Sequence, residues 1–129
     1  MRRLLLCLLL LAAPAAAQEA VTLPGPEGVV LRARLDRPAR VAAAPIVALH
    51  GCNGIGRPDG PIRLTPREED WSARLVALGH PVLFVDSFGS RGLGEACGRP
   101  DHPAPPRVRA HDARAAAAWA RSQPWGGAG

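Results

Sequence analysis

The sequence predicts an α/β protein built on a parallel, doubly wound sheet, of which these residues supply an incomplete part. Three observations carry that expectation. "IVALH" (Ile46–His50) and "PVLFVD" (Pro81–Asp86) are short continuous apolar runs bounded by turn residues, the pattern of strands covered on both faces. Helix-like segments follow each run, and strands alternating with helices make crossover-connected parallel sheets. The last helix leads into "PWGGAG" and not into a further strand, which leaves one sheet edge without its expected neighbour.

Along the chain, "MRRLLLCLLLLAAPAAAQ" has two arginines, an apolar run over Leu4–Ala13, and small residues up to Ala17. It reads as a secretory signal peptide, residues 1–17, cut after Ala17. The apolar run is well short of the ~20 residues that span a bilayer. Residues 18–27 read as a Pro- and Gly-containing lead-in. "GVVLRARL" (Gly28–Leu35) ends in an apolar/Arg alternation, an outer strand with one wet face. After Pro38 and Pro45 comes the first buried run, then the irregular "GCNGIGRPDGPIRL". Thr65 can cap the next helix, with Pro66 at its first position, Glu68 completing a capping box and Gly79 ending it. Trp71, Leu75 and Leu78 share one helix face and are expected in the core. The second buried run leads into a long loop, "SFGSRGLGEACGRPDHPAPP". Arg107–Gln123 then reads as a helix presenting Val108, Ala115 and Trp119 to the sheet.

Without the leader 112 of the 129 residues remain, enough for one small domain with a modest core. Removing Arg2 and Arg3 lowers the basic residues from 16 to 14 against 11 acids, a charge of +3. Every basic residue is arginine, scattered and without interleaved aromatics, which argues against a nucleic-acid partner. Cys7 leaves with the leader. Cys52 and Cys97 then meet an oxidising compartment, where pairing is expected.

The glycine-rich segment after the first buried run carries the chemistry. A strand, then His50-Gly51, then a loop is where a backbone N–H can be aimed at an oxygen that becomes negative during acyl transfer. By position Cys52 supplies that N–H, and Gly51 frees the turn. A structural turn uses the same residues. "GCNGIG" is not the dinucleotide fingerprint, and no P-loop lysine follows it. His50, Cys52, Cys97 and His102 match no familiar metal spacing, and a disulfide is the simpler use of the cysteines, so no metal is expected. A G-x-S-x-G nucleophile elbow is absent: Ser90 sits in "FGSRG" with the wrong spacing, and Ser72, Ser87 and Ser122 have no such context. His111 and Asp112 are adjacent on a helix and point different ways.

"HGCNG", "DWSARLVALGHPVLFVDSFGSRG", Cys97 and "RVRAHDARAAAAWARSQPW" together resemble the N-terminal half of the dienelactone hydrolase family, within the α/β-hydrolase superfamily. The resemblance covers Pro45–Trp125. It implies an α/β-hydrolase sheet and a serine or cysteine hydrolase that acts on small-molecule esters or lactones without a cofactor. Cys52, with Gly51, then matches the oxyanion-hole amide, while His50, Asp86, Ser87, Phe88 and Arg91 shape the site. It also supports a Cys52–Cys97 disulfide. Asn53 stands where the family pattern has glycine. The elbow, the acid and the histidine are expected beyond Gly129, so residues 18–129 alone are expected to be inactive. Other expectations remain open: a non-catalytic exported binding module, or one half of a hydrolase whose C-terminal half is separately encoded. After leader cleavage a periplasmic or secreted location, with no membrane contact, is expected.

Overall fold

A computed structural model describes residues 16–127. The expected leader lies outside the described residues except for Ala16 and Ala17, as do Ala128 and Gly129. The elements are β1 (Ala17–Pro24), β2 (Val30–Arg37), β3 (Ile46–Leu49), α1 (Pro66–Ala77), β4 (Val82–Asp86) and α2 (Pro106–Ser122). Among the described residues no helix is long and apolar enough to cross a membrane.

The class is α/β, but the four-stranded sheet is mixed, in the order β1-β2-β4-β3. β1 pairs antiparallel with β2 and β2 with β4, and among the described residues the one parallel pair is β3–β4. The parallel expectation is corrected at the N-terminal side, where the connections are too short. Parallel neighbours need a crossover of a dozen or more residues. Only β3 and β4 are joined by one, which contains α1. The lead-in expected over 18–27 is in fact strand β1. Its Val21 and Leu23 join Leu31, Ala33 and Leu35 of β2 in one apolar layer. A 3-10 turn at Pro26–Gly28 closes the hairpin, with Glu27 (φ 55°) and Gly28 (φ 77°) both left-handed.

The two helices cover opposite faces. Leu83 and Val85 of β4 pack with Ala116 and the half-buried Ala115, Trp119 and Trp125. Val82 and Phe84 point the other way, to Ile55, Leu75 and Val76. All five residues of β4 are therefore buried. β3 was expected to be covered similarly, but it is the edge strand, and Leu49 remains 44% exposed.

The helix signals hold. The Thr65 hydroxyl accepts the Glu68 N–H at 3.3 Å, and the Glu68 carboxylate accepts the Thr65 N–H at 2.7 Å. Gly79 follows with φ 91°. The face assignment does not hold. Leu75 packs in the core, but Trp71 and Leu78 are 58% and 69% exposed. Polar groups displaced them: Arg34 makes paired contacts to Asp36 (2.7 and 2.9 Å) and Glu69 (2.6 and 2.7 Å), and Ser72 donates to Asp36 at 2.6 Å. That clamp rolls the Glu69–Ser72 side of α1 onto β2.

Candidate functional site

Loops that leave the C-terminal ends of the parallel strands converge on Phe88. This is the end of an α/β sheet where ligands bind. His50–Asn53 leave β3 and Ser87–Arg91 leave β4. The buried Phe88 ring meets His50 edge-on at 4.5 Å between centroids and His102 at 4.4 Å, and the Arg109 guanidinium lies 5.4 Å from its centre. Arg109 also donates to the His50 carbonyl, tying α2 to the end of β3.

Cys52 is on the exposed side of this cluster, and among the described residues no backbone carbonyl accepts its N–H. Two links fix the loop. Cys52 and Cys97 form a disulfide, with Cα atoms 4.9 Å apart, and Ala96 N–H donates to the Cys52 carbonyl at 2.8 Å. Gly51 faces open space, since a Cβ there would meet nothing within 4 Å. The steric demand falls at Gly54 instead, with φ 72° and the Phe88 ring 3.3 Å from where its Cβ would be. Asn53 therefore costs the turn nothing.

The buried interior of the site is under-satisfied. His50 Nδ1 lies 2.7 Å from the Gly51 carbonyl, which can only accept, so Nδ1 carries the proton and Nε2 is a bare acceptor. His50 Nε2, Asp86 Oδ2, Ser87 Oγ and Arg109 Nε are all buried without a hydrogen-bond partner among the described residues. Burial pushes the His50 imidazole below its ordinary value, and the nearby Arg109 charge adds to this, against the Gly51 hydrogen bond. Burial also lowers Arg109.

The segment after β4 is held from both sides. Asp86 accepts the Gly89 N–H at 2.8 Å and faces Arg32 at 3.7 Å. Arg32 in turn donates to the carbonyls of Arg57 (3.0 Å), Pro58 (2.8 Å) and Gly60. Arg91 forks onto the fully buried Asp112 at 2.8 and 2.7 Å and donates to the Ser87 carbonyl at 2.8 Å. Ser90 accepts the Arg32 N–H at 2.8 Å and donates to the Asp86 carbonyl, so its hydroxyl is committed.

The structure thus brings His50, Gly51, Cys52, Ser87 and Phe88 to one place. Asp86 and Arg91 lie beneath as braces, and His111 points to solvent. Sequence reasoning missed Arg109, Arg32 and the role of Asp112. For Asp112 a signal existed: it shares the apolar helix face of Val108, Ala115 and Trp119, where a lone carboxylate needs a buried partner. No family model and no curated protein matches this chain.

Chemically, the arrangement presents a clamped backbone donor, without a backbone acceptor among the described residues, on the exposed side of a buried aromatic cluster that also holds unsatisfied polar atoms. Ser87 is wholly buried, and neither cysteine is a free thiol.

Proposed function

We propose that this chain provides the oxyanion-stabilising side of an exported, dienelactone hydrolase-like acyl hydrolase, with nucleophile, acid and base supplied by residues outside these 129. The observation that carries the reading is the Cys52 N–H: among the described residues no backbone carbonyl accepts it, Cys52 is exposed just beyond the C-terminal end of β3, and a disulfide and the Ala96 hydrogen bond hold it. A donor of that kind stabilises negative charge developing on an ester or lactone carbonyl oxygen without reorganising at the moment of reaction. Phe88 and His50 form the aromatic floor beside it. The sheet and its two helices are the scaffold, in the α/β-hydrolase manner.

Translation of the DNA beyond the Gly129 codon in all three frames, followed by expression of the joined polypeptide, tests the reading. A strand, a G-x-S-x-G or G-x-C-x-G elbow, an acid and a histidine are expected, in that order. The joined protein then hydrolyses 4-nitrophenyl acetate or an enol lactone, and residues 18–129 alone do not. The reading fails if no frame holds such an elbow, or if the joined protein is inert toward every ester and lactone offered.

A further inference from the structure

The loop that leaves β3 is fastened to the loop that leaves β4 by a bridge whose two sulfurs are unequally placed. Cys52 is exposed, whereas Cys97 is half-buried. Exposed bridges exchange with thiols more readily than enclosed ones. An attacking thiolate therefore meets the Cys52 sulfur first, and Cys97 is the leaving sulfur. The leaving side has a polar neighbour in place. The Asn53 side-chain oxygen lies 2.8 Å from Cys97 Sγ and 4.0 Å from Cys52 Sγ. A bridged sulfur carries no hydrogen, so this oxygen gains a donor only once Cys97 is a thiol. Asn53 thus favours the open form of the bridge over the closed one. It stands where the family pattern has glycine, and the turn itself makes no use of its side chain, since the left-handed position is Gly54 (φ 72°). In the closed form the bridge and the Ala96 N–H bond to the Cys52 carbonyl (2.8 Å) hold Cys52 together. In the open form that backbone bond and the Gly54 N–H bond to the Gly51 carbonyl (3.2 Å) hold the turn without the bridge, next to a Gly51 that faces open space.

We propose that the Cys52–Cys97 bridge is a thiol-operated latch on the loop after β3, opened by attack of an external thiolate on Cys52, with Asn53 setting how readily it opens. The first thiolate forms an S–S bond to Cys52 Sγ as the Cys52–Cys97 bond breaks, and the electron pair leaves on Cys97, which takes a proton from water. A second thiolate attacks the thiol-derived sulfur of that mixed disulfide, and Cys52 leaves and is protonated in turn. The net change is two external thiols oxidised to one disulfide and one bridge reduced to two thiols. The exchange rests on the loop geometry alone. Its effect on hydrolysis, through a Cys52 N–H released from its latch, rests on the acyl-transfer reading.

The test equilibrates the purified chain with reduced and oxidised glutathione at several ratios. Samples are acid-quenched, alkylated and read by peptide mass, and amide hydrogen exchange is followed in parallel. Reversible opening by millimolar glutathione is expected, with the trapped glutathione on Cys52 and faster amide exchange at residues 52–54 once the bridge is open. Asn53→Ala, at an exposed position, lowers the equilibrium constant for opening about fivefold and leaves amide exchange in the closed form as it is in the native chain. A bridge that glutathione leaves closed overturns the proposal, as does glutathione trapped on Cys97. So does loop exchange that opening leaves unaltered, or an opening constant that Asn53→Ala does not change. A latch that behaves as described in a joined protein that shows no hydrolysis upholds this inference and counts against the acyl-transfer reading alone.

Discussion

Asp112 shows how a single residue can carry the site. It is fully buried, its charge is matched by the Arg91 fork, and Arg91 in turn holds the Ser87 carbonyl. Removing one partner strands a buried charge, at a cost of about 3–5 kcal/mol, whereas replacing both with apolar residues is far milder. Asp112→Ala is therefore expected to lower the urea midpoint sharply, and Arg91→Met with Asp112→Leu to recover most of the loss. His50 sets a pH dependence at the same scale. Its folded value lies below the ordinary 6.5, so below that pH the unfolded chain binds the extra proton. Its contribution is complete above about 6.5 and is lost as the pH falls toward the depressed folded value. Melts between pH 8 and 5 are expected to fall more steeply for the native chain than for His50→Gln. Equal slopes would contradict this. Very little of the pairing was legible, because an arginine's partner is chosen by tertiary approach. Arg32, Arg34 and Arg91 look alike in sequence and serve three different clamps.

At the scale of elements, α1 was the most legible part because its boundaries are local chemistry. The Thr65–Glu68 capping box and the Gly79 stop need no tertiary information. Thr65→Ala is expected to cost about 1 kcal/mol, read from chemical denaturation. A loss within error would show that the helix end is held by packing instead. Its buried face was misread for the opposite reason. Spacing grouped Trp71 and Leu78 with Leu75, but the Arg34–Asp36–Glu69–Ser72 clamp turned the helix toward β2 and left both outside. β1 escaped notice because its Ala, Gln, Glu and Thr dilute an alternation carried by Val21 and Leu23 alone. Pro24 is tolerated at the end of an edge strand.

For the whole molecule, the alternation of strands and helices gave the class, while the order and sense of the strands lay in the lengths of the connections. The parallel β3–β4 pair brings two loops together, and the Cys52–Cys97 bridge joins segments 45 residues apart across that junction. A loop of that length constrains the unfolded chain by about 4 kcal/mol. Reduction with a dithiol is expected to lower the melting temperature by several degrees, and an unchanged transition would show that the bridge stabilises only the loop.

The most direct measurement is kcat for ester hydrolysis by the joined polypeptide, with and without the Cys52 N–H. Cys52→Pro removes both the donor and the disulfide, while Cys52→Ser with Cys97→Ser removes the disulfide alone. If Cys52 supplies the oxyanion donor, Cys52→Pro lowers kcat by about 10²–10³ with little change in KM, and the double serine variant stays within about tenfold of native. Equal losses in the two variants would show that the bridge matters and the donor does not, and would remove Cys52 from the chemistry.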